Sequence, residues 1–147
     1  MQFATTAWAD AFRVEIEASQ AYRKAGAGWK HGPIAFLVRA APNLGVPSPI
    51  ALILDLEAGR CRSAKVVPEA EAARAPYCIS GDYREWKAVV RRELDPIKAI
   101  VTRKLALRGS LFTLLRYVPA AMELVACALR VPAEFADDRS THEGERR

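Results

Sequence analysis

Residues 77–115 read YCISGDYREWKAVVRRELDPIKAIVTRKLALRGSLFTLL, and this stretch decides the architecture. Tyr77 to Ser80 is a short apolar run that stops at Gly81 and Asp82, the pattern of a strand leading into a helix cap. Asp82 takes the cap position with Glu85 three residues on, so a capping box is expected. Trp86, Val89 and Val90 then form a buried stripe, and Arg84, Lys87 and Arg91 fall on the opposite side at helical spacing. Asp95 and Pro96 repeat the start signal, predicting a second short helix with Ile97, Ile100 and Val101 inward. From Lys104 to Arg108 charge alternates with Leu105 and Leu107, which predicts a strand; Gly109 turns the chain and Ser110 caps the next helix.

Downstream, Leu111, Leu115, Val118, Met122, Val125 and Leu129 step by fours and threes, while Phe112, Leu114, Ala121, Leu124 and Ala128 widen the apolar face. A helix this apolar must be covered on more than one side, and Pro119 should kink or split it. Upstream, Trp8, Phe12 and Ile16 mark an amphipathic helix with Thr5 and Thr6 as caps, ending in the glycines from Gly26 to Gly32. Those glycines follow a helix and His31 stands where a third glycine would be, so they are not a dinucleotide loop. Ile34–Val38, Ile50–Leu56 with Leu52 and Leu54 on one side, and Arg60–Val67 read as strands, the last two joined by an Ala58–Gly59 turn. Residues 68–76 form a mildly helical linker between prolines.

The order of helix, three strands, linker, strand, helix pair, strand and final helix is that of an α+β domain. A five-stranded, mostly antiparallel sheet covered mainly on one face by helices is expected. The 147 residues, 51% hydrophobic and 27% charged, suit one compact domain over 1–132. Residues 133–147 carry five acids against three arginines and are expected to form a disordered tail. A net charge of +5 is too dilute to announce nucleic acid, and none is expected as a partner. Arg116, Pro119 and Glu123 interrupt the longest apolar stretch, so no membrane span is predicted there. Cys61, Cys78 and Cys127 form no metal-binding spacing and read as buried thiols in a reducing, cytoplasmic compartment. His31 and His142 stand far apart, no Gly-x-Ser-x-Gly elbow occurs, and neither a metal, a cofactor nor a catalytic residue is expected.

The stretch quoted above resembles the sterol carrier protein 2 lipid-binding domain family. That family has a strand, an aspartate-capped helix bearing a Trp (here Asp82 and Trp86), an Asp-Pro step (Asp95, Pro96) and a Gly-Lys-Leu segment before a Gly-Asp pair. This chain offers Lys104, Leu105, Leu107 and Gly109, with Arg103 and Ser110 in place of the usual glycine and aspartate. More loosely, the segment holding Trp8, Tyr22 and Trp29 is similar to stand-alone bacterial members. The resemblance implies a one-domain fold with an apolar tunnel that takes a fatty acid, acyl-CoA, sterol or quinone-like lipid, without catalysis. The chain finishes in Glu-Arg-Arg and not in a peroxisomal signal, so a bacterial cytosolic setting is expected.

On this reading Leu52, Leu54, Trp86, Leu105, Leu107, Phe112, Leu115, Val118 and Met122 are the expected tunnel lining. Arg84, Lys87 and Arg91 are candidates for transient contact with an anionic membrane. A void of ~300–1,000 Å³ left empty would cost ~7–24 kcal/mol against a stability of ~5–15, so such a pocket is expected to be filled, wet or partly collapsed. The alternative is an interaction module of the same fold with a closed cavity. It would dimerise through residues 111–129 or dock on a lipid-metabolising enzyme.

Overall fold

The computed structural model describes residues 2–135. Five strands, β1 (Ile34–Val38), β2 (Ile50–Glu57), β3 (Arg60–Val67), β4 (Tyr77–Gly81) and β5 (Ala106–Arg108), form one sheet in the order β3-β2-β1-β4-β5. All neighbours pair antiparallel except β1 and β4, which run parallel, as their long crossover requires. The Ala58–Gly59 turn joins β2 to β3 with both residues at positive φ, the mirror-image turn whose twist suits a hairpin.

Alternation divides the sheet into two faces. Ile34, Leu52, Leu54 and Ile79 join the main core beneath the helices, whereas Ala35, Ala51 and Cys78 form a smaller cluster on the far side with Ala72 of α3 (Glu69–Ala72). The residues of that far cluster are mostly small, so one short helix covers them.

The cover comprises α1 (Thr6–Ala18), α2 (Gln20–Ala25), α4 (Tyr83–Val90), α5 (Pro96–Val101), α6 (Leu111–Leu115) and α7 (Val118–Arg130). Local signals start most of these as expected: Thr5 Oγ1 accepts from the Trp8 N–H, Asp95 Oδ1 from the Ile97 and Lys98 N–H groups, and Ser110 Oγ from the Thr113 N–H. Pro119 enters the first turn of α7 and the final helix is split ahead of it. That helix packs against α1, α2, α4 and α5, which accounts for its apolar breadth.

Several expectations are corrected. The first helix breaks at Ser19, whose extended backbone and side-chain oxygen start α2 by accepting from the Tyr22 N–H at 3.0 Å. Asp82 makes no side-chain cap; its carboxylate pairs instead with Arg39 Nη1 at 3.2 Å, and backbone bonds from Glu85 and Trp86 to its carbonyl carry the helix start. Val101 is exposed, because the buried face of α5 centres on Ala99 and Ile100 and the next residue is turned about 100° away. At the start of the segment expected to form the tail, Glu134 pairs with Gln2, and Phe135 is buried against Phe3 and Tyr83. The remainder of the expected tail, 136–147, lies outside the described residues.

Candidate functional site

An apolar cavity of about 120 Å³ lies between the sheet and the helices. Its floor is a row across the sheet: Leu52 pairs with Phe36 on β1, which stands beside Ile79 on β4. Ile34, Val38 and Ile50 extend it along the strands. The walls are Phe3, Ala4, Trp8 and Phe12 at the N-terminus, Trp86, Val89 and Val90 on α4, and Pro96, Ile97 and Ile100 on α5. Leu105, Leu114 on α6, and Ala121, Leu124, Val125 and Ala128 on α7 complete the wall.

Of the residues expected to line a tunnel, Leu52, Trp86 and Leu105 are on the wall. Six are not. Leu54 is fully buried in the core and Leu107 flanks the end of the floor row at half burial. Val118 and Met122 are half-buried elsewhere on α7, while Leu115 and Phe112 point outward, Phe112 with 76% of its surface exposed. The reason is rotational. The break at Arg116–Tyr117 leaves α6 presenting Leu114 inward, and α7 turns its column Ala121, Leu124, Val125 and Ala128 to the cavity. Both columns were apolar in the sequence, so periodicity alone did not choose between them. The missed floor residues Ile34, Phe36 and Val38 alternate as strand residues do, which was the available signal.

The three cations of α4 do not form a purely solvated row. Lys87 Nζ and the Arg91 guanidinium lie over the Phe135 ring at 5.4 and 5.0 Å from its centroid, while Arg84 is exposed.

No wall residue is ionisable, so the cavity offers no general acid, base or nucleophile among the described residues. Its polar atoms are two indole N–H groups. Trp86 Nε1 is committed to the Leu37 carbonyl at 3.0 Å, tying α4 to β1, whereas Trp8 Nε1 is buried without an acceptor, a defect of ~1–3 kcal/mol. The titratable groups with displaced pKa values lie outside the wall. Burial pushes the Cys61 thiol up to about 12 and raises Tyr22, Cys78 and Cys127. Burial alone would raise Glu17 too, but hydrogen bonds from Arg60 Nε at 2.8 Å and the Cys61 N–H at 2.7 Å bring it below its usual value. This carboxylate fastens the end of α1 to β3. No cluster of potential metal ligands and no helix able to cross a membrane occurs among the described residues.

Sheet, one-sided helical cover and an apolar hollow between them define the class of fold. The family model of the SCP-2 sterol transfer family matches residues 13–121. Among solved structures, a crystal structure of sterol carrier protein 2 shares 38% identity at a TM-score of 0.82, over 89% of this chain and 100% of that one. The solution structure of a conserved hypothetical protein from Thermus thermophilus, possibly sterol carrier protein by its own description, shares 38% identity at a TM-score of 0.81, over 91% and 92%. Sterol carrier protein 2 from Yarrowia lipolytica, in its apo form, shares the fold alone, with 17% identity, a TM-score of 0.54 and coverage of 82% and 88%. No curated protein matches the sequence. The chain belongs to the SCP-2 sterol transfer family, whose domains bind and transfer lipids and are generally non-catalytic.

Proposed function

We propose that this protein holds one lipid, a fatty acid, acyl-CoA, sterol or quinone-like molecule, with its hydrocarbon in the cavity, and carries it without transforming it. The observation that supports this reading is the wholly apolar wall: hydrocarbon gains ~0.8 kcal/mol for each methylene buried there, and nothing in the wall can activate a bond. The hollow of about 120 Å³ is smaller than the ~300–1,000 Å³ of a typical ligand pocket, so loading must part the helices from the sheet. Leu52, Trp86 and Leu105 are the expected contacts of the guest. Leu54 and Leu107 stand beside the wall residues Ile34 and Ile79, and Phe112, Leu115, Val118 and Met122 would touch the guest only after α6 and α7 move.

Native mass spectrometry of protein purified from cells, together with displacement of a fluorescent fatty acid, tests the proposal. Bound lipid and micromolar displacement are the expected results. No bound lipid, and no displacement by any acyl chain, thioester, sterol or quinone, would overturn it. On this reading the guest is loaded from a bilayer. Arg84, Lys87 and Arg91 are one candidate surface for that bilayer, with Lys87 and Arg91 also lying over Phe135.

A further inference from the structure

The net charge of this protein is not spread over it. Residues 96–116 contain five cations, Lys98, Arg103, Lys104, Arg108 and Arg116, and no acid, so the other 126 residues hold 17 basic and 17 acidic side chains and balance. The whole +5 belongs to α5, the turn after it, β5 and α6. Arg108 donates to the Ala75 carbonyl, and none of the five forms an ion pair among the described residues.

The same segment carries Val101, Leu111, Phe112 and Leu115, exposed by 57, 38, 76 and 43%. Its inner side is cavity wall, through Ile97, Ile100, Leu105 and Leu114. One more feature is shared with the end of α4, where Arg92 follows the C-cap at φ +61°. Arg103 follows the C-cap of α5 at φ +64°, a position that favours glycine and costs another residue ~1–2 kcal/mol. The segment keeps a cation where local backbone energetics ask for none.

From charge complementarity and continuity with the cavity, we propose that residues 96–116 dock the protein on an anionic phospholipid bilayer. Phe112, flanked by Leu111 and Leu115, enters the acyl region, and Lys98, Arg103, Lys104 and Arg116 face the headgroups. This rests on the lipid-carrier reading and adds where the carrier meets its source: the helices that must part for loading are those seated on the membrane. A second copy of the chain fits less well, since a two-fold pair through this edge would set five cations against five. A polynucleotide would satisfy the cations and leave the aliphatic side chains without a partner.

Flotation of the full chain with phosphatidylcholine vesicles, with and without phosphatidylglycerol, tests the proposal. Wild type is expected to float with the anionic vesicles only and to be released by high salt. At ~1 kcal/mol for each cation near the surface, Arg103→Gly with Lys104→Ala should weaken partitioning about 25-fold. Phe112→Ser should weaken it tenfold or more. Neither change touches the core, and Arg103→Gly relieves strain, so thermal melting should show all variants folded. Arg84→Ala, which removes one charge from α4, should float like wild type. Absence of flotation, an equal loss in Arg84→Ala, Phe112-dependent self-association in sedimentation, or tighter binding to an oligonucleotide than to the anionic vesicles would overturn the assignment. Fatty-acid occupancy measured without vesicles reports separately on the carrier reading. A protein that holds fatty acid but ignores vesicles refutes docking alone, and the reverse refutes carriage alone.

Discussion

Neighbouring alanines on α7 should respond with opposite signs to the same substitution. Ala121 is on the cavity wall, and Ala120 is buried in the core away from it. At ~24 cal/mol per Å³, a void of about 120 Å³ corresponds to about 3 kcal/mol of unrealised packing. Ala121→Leu adds three carbons, each worth ~0.8 kcal/mol if fully buried. After the loss of side-chain entropy, a net gain of ~1–2 kcal/mol in the lipid-free protein is expected. Ala120→Leu meets filled space and should lose ~1–3 kcal/mol. Urea denaturation of delipidated samples, compared at constant m, reads both values; delipidation matters because a copurifying ligand stabilises wild type by mass action. The Ala121 variant should also bind a fluorescent fatty acid about tenfold more weakly or worse, since the added carbons take the place of ligand methylenes. If both variants lose stability alike, or if Ala121→Leu binds fatty acid as well as wild type, the hollow is not the guest's site.

Four further outcomes are expected. Glu17 has its pKa lowered on folding, so its contribution is present above the unfolded value near 4.5 and is lost as pH falls through the folded one; the stability gap between wild type and Glu17→Gln should close in acid, measured by urea titration across that range. Burial raises all three thiols, Cys61 to about 12, so at pH 8 a disulfide reagent should modify none of them in the native protein and all three in denaturant. The same shift means that stability falls as pH rises above the ordinary thiol value of 9.0, because the folded state resists losing the proton. Trp86→Phe removes a hydrogen bond to the Leu37 carbonyl while Trp8→Phe removes an orphaned donor, so chemical denaturation should find the first variant less stable by ~1–3 kcal/mol.

What was legible in the sequence was governed by short range. The caps at Thr5, Asp95 and Ser110, the Ala58–Gly59 turn and the restart at Pro119 each depend on groups within about four residues, and each stands in the structure. Asp82 shows the limit: its expected role was local, and an arginine 43 residues away claims the carboxylate instead. The concentration of charge in residues 96–116 needed no structure at all, only a count along the chain.

The sequence by itself determined the strand order along the chain and the α+β class, because hydrophobic periodicity and capping are properties of neighbouring residues, while the resemblance carried by Asp82, Trp86, Asp95, Pro96 and Gly109 pointed to the family. Only the tertiary structure decided which apolar residues surround the cavity. Leu114 and Ala121 face it while Phe112 and Met122 do not, since a helix apolar on several sides has its orientation set by the partners packed around it.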